Sequence, residues 1–237
     1  MKKKSKNLLG IIGGMGPLAD VTFLRYLNEM GDCGCDYEHI PVLYDGNCKR
    51  ADRSDFLIGR SKRSPLYSII YSLKRLEACG ADVIAMPCNT AHYFLPYLKR
   101  KKRRRTVIID MIDEACRTCY DRGYKKVCLL ATRGTYKKEL YSEGLFRMGV
   151  DLVIPDRDTI DSIEGFIRSI KGGEKTPISE LEKDIMKINV DAFIAGCTEL
   201  SRSLELSDTH TLTYVDSLEV LARRTLEIFG IPLKAHP

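Results

Sequence analysis

Apolar positions along this chain come in short runs, and the stretches between them carry apolar residues at helical spacing. "LLGIIGG" at 8–14 reads as a strand, and "DVTFLRYLNEMG" at 20–31 as a helix ending on Gly. "HIPVLYDG" at 39–46 is a strand, followed at 64–80 by "SPLYSIIYSLKRLEACG", a helix with a Ser start and a Gly stop. The alternation continues with strand "ADVIAMP" (81–87), helix from "TAHYFLPYLKR" (90–100), strand "TVIIDM" (106–111), helix "IDEACRTCYDRG" (112–123) and strand "KKVCLLAT" (125–132). "YKKELYSEGLFRMG" (136–149) predicts one helix and "VDLVIPD" (150–156) a strand. Two helices follow, "DSIEGFIRSIKGG" (161–173) and "PISELEKDIMKIN" (177–189). Strands "VDAFIAG" (190–196) and "TLTYVDS" (211–217) and helix "LEVLARRTLEIFG" (218–230) complete the chain.

The strands are β-branched and lack strict alternation, as strands buried on both faces do. With strand and helix alternating, the pattern predicts an α/β fold with parallel sheets covered on both sides. A run of seven cations, "KRKKRRR" from Lys99 to Arg105, is the strongest break in composition. It predicts two similar α/β domains: 1–105 together with 212–237, and 106–211.

Charge changes this picture little. Lys2, Lys3, Lys4 and Lys6 and the run at 99–105 contribute eleven positives; removing them from 38 Lys and Arg leaves 27 against 32 acidic residues. The basicity is local, and the run lacks the aromatic residues that stack bases, so it reads as a solvated helix end and loop. Binding to an anionic polymer or membrane through Lys99–Arg105 is the non-enzymatic alternative. No apolar stretch approaches the roughly 20 residues that span a bilayer. The N-terminus reads as a tail leading into the first strand, not as a signal peptide.

Nine cysteines, an odd number with several inside apolar runs, point to free thiols in a reducing cytosol. "CGC" (33–35) and "CRTC" (116–119) lack partners at zinc-site spacing. Two others stand apart. Cys88 in "AMPCNT" and Cys197 in "IAGCTE" each end an apolar run ahead of a Thr, 109 positions apart. Each is placed to end a strand and open a helix, where unpaired N–H groups and partial positive charge favour a thiolate and hold carboxylates. Taken singly, either is a packing residue. Two thiols in matching settings have the makings of an acid and a base on opposite sides of one substrate.

Here the chain resembles the aspartate/glutamate racemase superfamily, in its aspartate racemase branch. The motifs are "GIIGGMGPLAD" (10–20), "DRS" (52–54), "GADVIAMPCNTAH" (80–92), "LLATRGTY" (129–136), "IKGG" (170–173), "AGCTEL" (195–200) and "VDS" (215–217), in the family's order and over nearly the whole chain. The resemblance implies two α/β domains with the active site in the cleft between them. It implies a cofactor-independent racemase of an acidic amino acid, aspartate before glutamate, with Cys88 and Cys197 exchanging protons at the two faces of Cα. It also nominates binding residues: Met15 in the first turn, Asn89, Thr90, Thr132 and Thr198 around the α-carboxylate, and Arg53 and Lys171 for a second carboxylate. From its own loop, "CKRADRSDF", Arg53 reads instead as an exposed charge, and Lys171 as a cation favoured at a helix end.

Glu199 stands where glutamate racemases carry His, which argues against a dedicated glutamate racemase. The loop "YDGNCKRADR" departs from the family's pattern, with Ala51 where Pro precedes the Asp-Arg pair. His92 follows "CNTA" in the family too. Enzymatic alternatives are the relatives that isomerise maleate, decarboxylate malonates or racemise hydantoins; retention of both cysteines speaks against a decarboxylase. Pyridoxal phosphate, metal and nucleotide are not expected: no motif nominates a Schiff-base Lys, and "GGMGP" lacks phosphate-loop spacing. The expected partners are an amino-acid substrate and a second copy of the chain, a homodimer, with neither nucleic acid nor membrane.

Overall fold

The computed structural model describes residues 8–207 and 211–234. Lys2, Lys3, Lys4 and Lys6 lie outside the described residues. The chain runs β1 (Leu9–Gly13), α1 (Pro17–Met30), β2 (Val42–Gly46), α2 (Arg53–Ile58), α3 (Leu66–Ala78), β3 (Val83–Ala85), α4 (Leu95–Lys101), β4 (Val107–Ile108) and α5 (Met111–Asp121). It continues with β5 (Lys126–Leu130), α6 (Arg133–Lys137), α7 (Ser142–Arg147), β6 (Asp151–Val153), α8 (Arg157–Lys171) and α9 (Ser179–Ile185). It ends with β7 (Ala192–Ala195), α10 (Thr198–Glu205), β8 (Tyr214–Asp216) and α11 (Ser217–Phe229).

Two parallel four-stranded sheets result, ordered β2-β1-β3-β4 and β6-β5-β7-β8. This is the α/β architecture that the strand-helix alternation predicts. The two orders are the same order, second-first-third-fourth, repeated. In each sheet the chain leaves its first strand to one side and returns on the other, so the first and third strands flank the switch point where open α/β sheets bind ligands.

Each sheet is covered on both faces, which explains its strands' apolar character. In the first, Ile12 and Ile84 pack with α3, while Leu9, Ile11 and Val83 pack with Phe23 and Leu27 of α1 and Leu218, Leu221 and Leu226 of α11. Gly10 permits α3's close approach: a Cβ there would meet Ile84 at 2.7 Å and Leu76 at 3.1 Å. In the second sheet, Val127 and Leu129 face α5 and α7, and Cys128 and Leu130 face α8 and α9.

Strand pairing departs from the expected division at both seams. Val107 and Ile108 pair with Val83 and Ile84 in the first sheet, and Tyr214–Asp216 pairs with β7 in the second. The basic run fails as a boundary because Glu77 holds it to the first sheet. That buried carboxylate accepts from Arg103 N at 2.5 Å, Thr106 Oγ1 at 2.8 Å and Lys74 Nζ at 3.1 Å. Within the run, Lys99 pairs with Asp110 at 3.1 Å and Arg100 lies over the Tyr97 ring.

The helix expected at 136–149 is two helices. Glu139 takes φ 49°, and the chain turns so that Tyr141 is fully buried. The segment read as a charged loop, "CKRADRSDF" at 48–56, runs into a helix from Arg53 to Ile58, capped by the Asp52 side chain accepting from Asp55 N. No described helix is long and apolar enough to cross a membrane.

Candidate active site

Both cysteines stand at the same place in the repeated topology, just beyond the third strand of their sheet. Cys197 is the N-cap residue of α10. Cys88 lies three residues past β3 and is followed by a 3₁₀ turn at Thr90–Phe94, not directly by an α-helix. Their sheets' first strands bring Met15 and Thr132 to the same end. All nine residues nominated from the sequence, Met15, Arg53, Cys88, Asn89, Thr90, Thr132, Lys171, Cys197 and Thr198, line one cavity, joined by Asp52, Ser54 and Glu199. Its free space is about 10 Å³, room for about one water, so the walls must part to admit any larger molecule. An adjoining pocket of about 200 Å³ shares Met15, Asp52, Arg53, Lys171 and Glu199 and adds Leu18 and Ile170.

Hydrogen bonds across the two sheets close the cavity. Thr90 Oγ1 lies 2.9 Å from Thr132 Oγ1 and 3.1 Å from Thr135 Oγ1. Gly134 N donates to Ser54 Oγ at 2.9 Å, and Thr198 Oγ1 to Pro87 O at 3.4 Å. Asn89 is locked at both ends: Nδ2 donates to Ser217 Oγ at 2.9 Å, and Oδ1 accepts from the Tyr141 hydroxyl. Ser217 in turn donates to Ala195 O at the end of β7.

Arg53 is buried, contrary to the exposed charge its loop suggests. Its Nη2 donates to Met15 O at 2.6 Å. Burial opposes its charge, but Cys88 and Asp52 beside it hold its pKa above the ordinary value. Lys171 is exposed along its stem while its ammonium lines the cavity; burial of that head opposes the charge, and Glu199 and Cys197 outweigh it, raising the pKa.

Residues 12–225 match the family of Asp/Glu/hydantoin racemases. The chain belongs to that family. It is similar to the aspartate racemase of Picrophilus torridus, with 29% identity, a TM-score of 0.82 and 96% of each chain covered. It is 23% identical to the broad specificity amino-acid racemase RacX of Bacillus subtilis over 94% of this chain and 98% of the relative. The glutamate racemase of Francisella tularensis in complex with D-glutamate shares the fold, with 16% identity and a TM-score of 0.67 over 95% of this chain and 81% of that one.

Two side chains of this racemase family member went unassigned in the sequence. Glu199, buried, accepts a hydrogen bond from Cys197 Sγ on Oε2 at 2.9 Å. Burial pushes the Cys197 thiol well above its usual range, and the Glu199 carboxylate adds to this, while Lys171 works against it. Asp20, in the "GGMGPLAD" stretch, supports the first turn: its Oδ2 accepts from Gly14 N at 2.6 Å and the Tyr44 hydroxyl at 2.8 Å.

His92 touches Cys88 only through its backbone. Met111 N donates to Nε2 at 3.2 Å, so the ring proton sits on Nδ1 and is given to Cys88 O at 2.9 Å. Burial lowers its pKa and keeps the ring neutral. It fixes the turn that carries Cys88 and presents no nitrogen to the cavity for proton transfer. Among the described residues, no group of three or more His, Cys, Asp or Glu is arranged to hold a metal ion.

Proposed function

We propose that the chain racemises an acidic amino acid, aspartate before glutamate, by direct proton exchange between Cys88, Cys197 and the two faces of the substrate Cα, without a cofactor. The observation that carries this reading is positional. Two cysteines at equivalent points of two equal sheet topologies line one cavity.

The chemistry follows from the surroundings of each thiol. One sulfur, as thiolate, removes the α-proton; the other, as thiol, delivers a proton to the opposite face. Burial, with Glu199 beside it, favours the protonated form of Cys197 and suits it to the acid role, and the Arg53 guanidinium stands beside Cys88, the sulfur left for the base role. The carbanion needs its charge drawn onto the α-carboxylate. Thr90, Thr132 and Thr198 supply hydroxyls for this, and Thr198 and Glu199 stand in the first turn of α10, whose N–H groups have no partner within the helix. Arg53 and Lys171 place two cations at the cavity wall for a second carboxylate, the feature that selects an acidic side chain. The resemblance to the Picrophilus enzyme supports aspartate.

The test is α-proton exchange in heavy water, followed by nuclear magnetic resonance for each enantiomer of aspartate, glutamate, alanine and serine. Aspartate exchanging fastest supports the reading. Equal exchange of alanine and serine removes the acidic preference while leaving the racemase.

A further inference from the structure

The cavity described above is rich in groups suited to carboxylates and poor in groups suited to an ammonium. Arg53, Lys171 and the threonine hydroxyls are cations or donors. Every amino acid also brings an α-ammonium, and burying one without an acceptor is costly. The acceptors near the cysteines are largely taken. Asn89 Oδ1 accepts from Tyr141, and Met15 O accepts from Arg53. Asp52 caps α2.

One buried acceptor remains in the cavity wall. Glu199 is 5% exposed; its Oε2 takes the Cys197 thiol, and its Oε1 is buried with no partner. Glu199 lines both the cavity and the adjoining pocket. The first turn is shaped around that free oxygen: a Cβ on Gly16 would lie 2.7 Å from Oε1, and Gly16 takes φ 159°. A second carboxyl backs the same turn, where Asp20 Oδ1 is likewise buried and unpartnered, and the Glu199 charge helps raise the Asp20 pKa after burial itself. Two acidic groups with free oxygens make the region favourable to a cation. Lys171, whose charge Glu199 sustains, forms no ion pair within 4 Å among the described residues.

We infer that Glu199 receives the substrate α-ammonium on Oε1, making it the residue that distinguishes an amino acid from the same acid without its amino group. The inference rests on the racemase reading above. It also gives one carboxylate two tasks. With Oε2 on Cys197 and Oε1 on the ammonium, the same group sets the distance between the thiol and Cα. An ammonium on Oε1 also offsets the negative charge that works against a Cys197 thiolate, so substrate binding itself eases ionisation of that sulfur.

The experiment compares aspartate with succinate, which has the same two carboxylates and no amino group. Dissociation constants for both are measured by calorimetry on wild type, Glu199→Gln and Glu199→Asp. The ratio of the two constants cancels the carboxylate contacts. Wild type is expected to favour aspartate. Glu199→Gln should weaken aspartate about tenfold or more while leaving succinate unchanged or tighter, because a charge-assisted bond is lost and a buried negative charge removed. Glu199→Asp should restore part of the preference. An unchanged ratio in Glu199→Gln overturns the inference. So does a ratio that responds to Lys171→Met and not to Glu199→Gln, which assigns the free oxygen to Lys171. If wild type binds neither compound, the pair becomes whichever amino acid exchanges its α-proton in heavy water and that acid's deamino analogue. Exchange with no amino acid contradicts the racemase reading itself, and the inference falls with it.

Discussion

Arg53 reaches from the first residue of α2 to the Met15 carbonyl, a 2.6 Å hydrogen bond from Nη2 that ties the second loop of the first sheet to its first turn. The bond holds the guanidinium among buried neighbours, beside Cys88, with Nη1 only weakly engaged by Ala51 O at 3.5 Å. A fork with spare donors inside a cavity wall is suited to a carboxylate that arrives later.

Arg53→Ala should therefore raise the KM for aspartate about tenfold and narrow the gap to neutral amino acids, since a charge-assisted pair is lost. Arg53→Lys should restore only part of it, because one ammonium cannot serve both Met15 O and a carboxylate in the same geometry. Steady-state kinetics on both variants decide this; unchanged aspartate kinetics in Arg53→Ala would remove Arg53 from the substrate.

Tyr141 tests whether Asn89 is held from behind. Tyr141→Phe leaves the buried Oδ1 of Asn89 without its donor, which should cost roughly 1–3 kcal/mol of stability. Asn89 loses one of its two anchors in the cavity wall while Arg53 and Lys171 are untouched, so kcat should fall with little change in KM. Denaturant unfolding and kinetics measure the two effects. A stable variant with unchanged kcat would mean that the Tyr141–Asn89–Ser217 chain does not position the site.

Asp216 gives a pH dependence with a definite sign. It is buried, accepts from Ser201 Oγ at 2.6 Å, Leu218 N at 2.8 Å and the Tyr26 hydroxyl at 3.2 Å, and burial raises its pKa to about 6. A carboxyl raised in the folded state contributes stability that is complete below its unfolded value near 3.8 and is lost as pH rises through about 6. Asp216→Asn keeps an acceptor and cannot ionise. Its midpoint temperature relative to wild type should climb between pH 4 and pH 7 and level off above. A difference independent of pH would show that Asp216 does not titrate in this window.

The architecture was legible because its signals are local: strands buried on both faces read as short apolar runs, and the Gly and Ser stops mark the helices between them. The seams were not. Val107–Ile108 joins the first sheet because Glu77 anchors the preceding run, a contact made across 26 residues that no spacing announces. The helix at Arg53 was hidden by its charges, since "RSDFLI" buries Arg53 and Leu57 on one side and little else. Each residue nominated for the site reached the cavity because the two cysteine motifs sit at matching turns of a repeated topology. Glu199 was visible as an unusual neighbour of Cys197, but its role depends on burial and on a free oxygen, and both appear only once Gly16 is folded against it.

The central claim is that two cysteines act on opposite faces of one carbon. The measurement that tests it most directly is α-proton exchange by Cys88→Ser and Cys197→Ser in heavy water, using pure L- and pure D-aspartate. The account predicts that neither variant interconverts the enantiomers at a measurable rate. It also predicts that each variant exchanges the α-proton of one enantiomer only, and that the two variants choose opposite enantiomers. Full racemisation by either variant, or exchange of the same enantiomer by both, would contradict it.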